Sequence, residues 1–154
     1  MNKDLKNIKN NICNALKIFY VRESYLLKRN LHEITIAHKF ACILEKFFSE
    51  YDVDIEFNRE LSKAKVYFNS KRKPDIIIHK RGHNKDNLII IEIKKSNNRN
   101  INYDYKKLIC ALEKFHYKYG VYIEFNINKT NKYFISKIKI FENELKVKEY
   151  EWIC

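Results

Sequence analysis

The chain has 154 residues, 45% of them hydrophobic, and carries 31 Lys and Arg against 19 Asp and Glu for a formal net charge of +12. That length supports one well-cored domain and is too short for two comfortable ones, and no apolar run is long enough to span a bilayer. The basic excess suits a polyanionic partner, although a chain so rich in Lys, Asn, Ile and Tyr also has the composition that an A/T-biased coding sequence would give.

Met1 to Asn11 is polar and has no signal-peptide pattern, so a cytoplasmic protein is expected. Cys13, Cys42, Cys110 and Cys154 are far apart, with no Cys-x-x-Cys pair for a zinc knuckle or a redox motif. Reduced thiols are expected, with Cys13, Cys42 and Cys110 filling small apolar positions on helices.

Leu5, Ile8, Ile12, Leu16 and Phe19 recur at spacings of three and four, which predicts an amphipathic helix over the first twenty residues. A second helix is predicted from Leu31 to Ser49, with Ala37, Phe40, Ala41, Leu44, Phe47 and Phe48 on its apolar face. Glu33 falls on that face too, either as a site residue or as an acid favoured in the first turn by the helix dipole. Val53, Ile55 and Phe57 alternate with polar residues as in a half-buried strand closed by Arg59, and a short strand is predicted at 64 to 68.

Next come two β-branched runs, Pro74-Asp75-Ile76-Ile77-Ile78-His79 and Leu88-Ile89-Ile90-Ile91-Glu92-Ile93-Lys94-Lys95, around the linker from Lys80 to Asn87. They predict a β-hairpin. Period-two alternation turns Ile89, Ile91 and Ile93 into a buried layer and Glu92 and Lys94 to the opposite face. In-register pairing would bring Asp75 beside them. Leu108, Ile109, Leu112, Phe115 and Tyr119 predict a third helix capped by Gly120. Strands are predicted at 121 to 127, 133 to 141 and 145 to 152. The order implies an α/β fold with helices covering a mixed sheet, divided into an N-terminal helical extension (1–30), a core (31–127) and C-terminal strands (128–154).

An acid on a helix, an acid behind the single proline and a Glu-x-Lys strand together resemble the PD-(D/E)XK nuclease superfamily, which has the restriction-endonuclease-like fold. More narrowly, Val53 to Arg59, Pro74 to His79 with Arg81-Gly82, Asn87 to Lys95, Asp104 and Lys107-Leu108 resemble a group of small bacterial proteins in it. The likeness runs from about Leu31 to Asn126. It implies a metal-dependent nuclease in which Asp75, Glu92 and the Ile93 carbonyl hold Mg²⁺, with Mn²⁺ as a substitute. It implies that Lys94 orients or deprotonates the attacking water or neutralises transition-state charge, and that Glu33 binds a second ion or its water. The donors fit a hard ion, since oxygen ligands are present and no His/Cys cluster would select zinc.

Lys63, Lys65, Lys71, Arg72, Lys73, Lys80, Arg81 and Lys85 bracket Asp75 in sequence. Lys71, Arg72, Lys73, Lys80, Arg81, Lys95 and Lys107 are the expected nucleic-acid contacts. Glu56, Arg59, His79 and Asp104 are expected to support the site, each with a plainer reading: an edge ion pair for Glu56 and Arg59, a solvated strand end for His79, a helical ion pair for Asp104 with Lys107. Tyr103, Tyr105 and Tyr117 are candidates for base stacking. DNA is favoured over RNA, and a homodimer would be the simplest way to cut both strands. The alternatives are a non-catalytic nucleic-acid-binding module on the same fold and an RNA-cleaving toxin or effector domain.

Overall fold

The structure is a computed structural model describing residues 3–57, 59–60, 63–64, 73–82, 85–96, 101–125, 136–143 and 147–154, without the side chains of 59–60 and 63–64. Helix α1 (Lys3–Lys28) has non-helical backbone at Glu23 and is followed by α2 (Glu33–Leu44), shorter at both ends than its apolar pattern suggests. Strand β1 (Asp52–Ile55) ends before Arg59, which instead opens a separate two-residue ribbon of β2 (Arg59–Glu60) against β3 (Lys63–Ala64). The hairpin follows as β4 (Ile76–His79) and β5 (Asn87–Lys95). Helix α3 (Ile101–Phe115) leads to β6 (Tyr119–Phe125), β7 (Lys137–Glu142) and β8 (Lys148–Ile153).

Six strands form one mixed sheet in the order β1-β4-β5-β6-β7-β8. All neighbours are antiparallel except β5 and β6, and α3 supplies the crossover that a parallel pair requires. The central strands are apolar on both faces because helices cover both. Ile76, Ile78, Ile89, Ile91 and Ile93 pack with α1 and α2, while Ile77, Ile90 and Tyr122 pack with Leu108, Ala111 and Leu112 of α3. Read as an extension, α1 in fact buries Leu5, Ile12, Leu16 and Phe19 in the first of these layers. None of the described helices is long and apolar enough to cross a membrane.

Gly120 does not cap α3. The helix ends at Phe115, His116 takes the positive φ of 56°, and Gly120 lies inside β6. A Cβ at Gly120 would meet Leu108 Cβ at 3.2 Å, so glycine is what lets α3 lie this close to the sheet. The cysteines also depart from expectation. Cys13 of α1 and Cys154 are joined by a disulfide across 5.6 Å of Cα separation, and Cys42 is exposed rather than packed in the core. Sequence separation hid the pair, because only the tertiary fold brings the last residue back to α1.

Candidate active site

The β4–β5 register decides the geometry. Ile76 pairs with Ile91 and Ile77 with Ile90, so the ladder continued by one residue sets Asp75 level with Glu92. Asp75 Oδ2 accepts the Ile93 backbone N–H at 2.7 Å, which fixes the carboxylate at the end of the hairpin. In an extended strand the N–H and C=O of one residue leave by the same edge. The Ile93 carbonyl therefore faces the Asp75 side as well.

Glu92 and Lys94 share the face covered by α3, as alternation requires. Lys94 Nζ donates to Glu33 Oε2 at 3.2 Å and lies 4.0 Å from Asp104 Oδ2. Glu33 opens α2, and its other oxygen accepts the Lys95 N–H at 3.3 Å, so this side chain links the start of α2 to the end of β5. Glu92 is 2% exposed, and Lys107 Nζ stands 2.7 Å from its Oε1. The same ammonium donates to the Lys73 carbonyl at 2.7 Å. Helices α2 and α3 and the hairpin thus converge on six charged side chains: Glu33, Asp75, Glu92, Lys94, Asp104 and Lys107.

Their titration reflects crowding in a dry place. Burial, then the Asp75 charge, pushes Glu92 up to about 8, against the pull of Lys107. Burial also raises Asp75, opposed by Lys94 and the Ile93 N–H, and raises Asp104, opposed by Lys94 and Lys107. For Lys94, burial acts downward, but the carboxylates of Asp75, Asp104, Glu33 and Glu92 outweigh it and hold the ammonium above the usual lysine range.

Among the described residues, no group of three or more His, Cys, Asp or Glu side chains is gathered closely enough to hold a metal ion by itself. Mg²⁺ asks for less, since it binds through one or two carboxylates and takes waters and substrate oxygens for the remainder. Glu92 Oε1 is engaged by the Lys107 ammonium at 2.7 Å, whereas the buried Asp104 Oδ2 has no hydrogen-bond partner among the described residues. A carboxylate oxygen left in that state is open to a further hydrogen-bond donor, such as a water.

Asp104 and Lys107 do not pair with each other on the surface of α3. They are 5% and 3% exposed and turn inward to Lys94 and Glu92. Their i, i+3 spacing gave them one helix face, and the direction of that face depends on how α3 lies on the sheet.

Several expected roles do not match the positions found. Lys107 is enclosed rather than presented to a phosphate, and Lys95 directs its ammonium to Asn30 Oδ1 at 2.8 Å and the Leu31 carbonyl at 3.1 Å. His79 is 4% exposed, bonds Asp54 Oδ2 at 2.9 Å, and sits four residues along β4 from Asp75, roughly 13 Å at the rise of a strand. It is neither solvated nor within reach of a phosphate at Asp75. Arg81 clasps Asp54, donating from Nε at 2.9 Å, and its backbone N–H donates to Asp52, while Lys80 lies over the Tyr51 ring at 5.6 Å. Both are at the far end of the hairpin from Asp75. The Arg81 hydrogen bond is also the main reason Asp54 lies below the usual carboxylate range.

Glu56 has positive φ and forms an exposed 3.8 Å pair with Lys73, where the plainer reading named Arg59. The side chains of Arg59 and Lys63, and residues Lys65, Lys71 and Arg72, lie outside the described atoms. Tyr117 is fully buried, so it stacks on no base, whereas Tyr105 is partly exposed at a cavity described below. Compared with family models, curated proteins and solved structures, the chain has no match in any of the three.

Proposed function

We propose that the chain is a metal-dependent nuclease of the PD-(D/E)XK superfamily, with a restriction-endonuclease-like fold and with DNA as the favoured substrate. One observation carries this reading: Asp75 and Glu92 lie level on adjacent strands, and Lys94, on the Glu92 face, is held between Glu33 and Asp104. A sheet interior does not gather four acids and two lysines at no cost. Burial together with specific charge partners that perturb several carboxylates at once is a signature of a functional site.

A divalent ion bound by Asp75, Glu92 and the Ile93 carbonyl would supply Lewis-acid polarisation of a phosphoryl oxygen and lower the pKa of water. Asp75 and Glu92 give that ion its charge complement, and losing the Glu92 proton readies the site for it. Lys94 stays protonated because its carboxylate neighbours outweigh burial. It therefore serves as an ammonium that neutralises the charge developing on the phosphoryl oxygens, rather than as the base that removes the proton from water. Asp104 and Glu33 orient it from two sides. Lys107 balances the buried Glu92 charge and ties α3 to the chain just before Pro74 through the Lys73 carbonyl.

The Lys107–Glu92 ion pair also favours a second reading, in which the acids are structural and the basic chain binds nucleic acid without cutting it. Incubation with plasmid, single-stranded DNA and RNA in Mg²⁺, Mn²⁺ or EDTA distinguishes the two. The nuclease reading expects cleavage in either metal, none in EDTA, and none from folded Asp75→Asn or Glu92→Gln protein. Wild-type cleavage rates from either variant would reject the site.

A further inference from the structure

Beside the acid cluster, on the same face of the sheet, is a cavity of about 560 Å³ that the proposed chemistry does not use. Its floor comes from β6 and β7, where Tyr122 pairs with Lys139 and Glu124 with Lys137, and its wall from Ile101 and Tyr105 at the start of α3. Ile101 and Tyr105 are one helical turn apart and so share a face. Asp104, next to Tyr105, turns the other way to Lys94. The first turn of α3 therefore separates the cavity from the catalytic cluster by the thickness of one helix.

The lining has a definite chemistry. Two acids, Glu124 and Glu151, stand with two lysines, Lys137 and Lys139, and Lys139 already bridges Glu149 at 2.7 Å and Glu151 at 3.3 Å. A phosphate gains nothing from such a balanced set. An uncharged planar group with donors and acceptors on its edge does. The aromatic content agrees: Tyr105 and Tyr122 meet edge to face at 5.1 Å, and Lys139 Nζ lies 4.6 Å over the Tyr105 ring. Tyr122 is 3% exposed, yet its hydroxyl has no hydrogen-bond partner among the described residues. A buried hydroxyl left so is costly, and a polar edge or a water reaching it from the cavity would remove that cost. The volume falls within the range of small-ligand sites.

Position selects among planar ligands. Tyr122 is the register partner of Glu92 on the neighbouring strand, and paired strands run about 4.8 Å apart. A group seated on Tyr122 thus lies on the strand next to the one that carries Glu92 and Lys94, across the first turn of α3.

We propose that this cavity receives one unpaired nucleobase of the nucleic acid whose phosphodiester lies at that cluster. Single-stranded or locally unpaired strands are then the substrate class. The inference rests on the nuclease reading for the place of the phosphodiester, but not for the cavity itself. A base within an intact duplex would first have to leave its stack.

The test is a titration in EDTA of protein carrying ring-labelled tyrosine, observed by NMR, with Tyr105→Phe and Tyr122→Phe used for assignment. The probes are deoxyadenosine monophosphate, thymidine monophosphate and deoxyribose 5-phosphate, the last having the phosphate without a base. The two nucleotides should move the Tyr105 and Tyr122 signals saturably, and deoxyribose 5-phosphate should leave them in place. Ile101→Phe, which fills the partly exposed wall, should weaken nucleotide binding at least tenfold with an unchanged unfolding midpoint. No saturable shift from either nucleotide, or an equal shift from the base-free sugar phosphate, overturns the proposal. Cleavage is scored separately. Nucleotide binding without cleavage of any substrate keeps the cavity and rejects the nuclease reading, whereas equal cleavage of single strands and intact duplex without tyrosine shifts keeps the nuclease and rejects the cavity.

Discussion

Glu92→Gln should stabilise the metal-free protein, and by an amount that depends on pH. Glu92 rises from its ordinary 4.5 to about 8, chiefly because its charged form is buried. Below pH 4.5 the carboxyl is protonated in both the folded and unfolded chains. Between 4.5 and 8 the folded chain keeps a proton that the unfolded chain has released, so stability falls as pH rises, by about 1.4 kcal/mol per pH unit. Over the whole window the upper limit is about 5 kcal/mol. The glutamine amide resembles the protonated acid in shape, keeps an acceptor near Lys107, and has no such slope.

Urea unfolding in EDTA at about pH 5.5 and about pH 8 should therefore show the variant gaining on the wild type by up to about 3 kcal/mol between the two values. Other titrating groups largely cancel in the comparison. An equal stability difference at both pH values would refute the electrostatic reasoning. Mg²⁺ at about a hundred times its dissociation constant should then restore about 2.7 kcal/mol to the wild type at the higher pH and almost none to the variant. A pH slope without a Mg²⁺ effect would preserve the electrostatics and remove the metal.

Lys94→Ala should lower turnover by a factor of about a hundred or more with nearly unchanged substrate binding, as for loss of one group stabilising transition-state charge. Lys95→Ala should cost about 1 kcal/mol of stability through its lost bonds to Asn30 and Leu31, yet cleave within a few-fold of wild type; equal loss of turnover from both would contradict the observed faces. Glu33→Gln should reduce activity and shift its metal-concentration dependence with little change in melting temperature, whereas a large stability loss with normal specific activity would leave Glu33 a purely structural role. Lys107→Ala should cost about 1.5–3 kcal/mol through its lost charged bond to the Lys73 carbonyl, nearly alike at about pH 5.5 and about pH 8 because Glu92 keeps its proton over most of that range, and the loss should grow above about pH 8 as the wild-type Glu92 ionises beside Lys107. Denaturation curves with the same loss at about pH 8 and about pH 9.5 would show that the pair contributes no charge interaction.

Which side chains share a face was legible in the chain alone, because that follows from local geometry. Alternation set Glu92 and Lys94 opposite Ile91 and Ile93, and the length of the hairpin brought Asp75 level with Glu92. Helical spacing put Asp104 and Lys107 together in the same way. What each face meets was not legible. Only packing of α3 on β5 and β6 turned Asp104 to Lys94 and Lys107 to Glu92, and only the placement of α2 brought Glu33 to Lys94. Basic residues near Asp75 in sequence were separated from it in space, since an extended strand carries Lys80 and Arg81 to the other end of the hairpin. The role of Gly120, the Cys13–Cys154 bond and the cavity under Tyr105 likewise arise from contacts between distant segments. Periodicity is a property of neighbours along the chain, and such contacts are not.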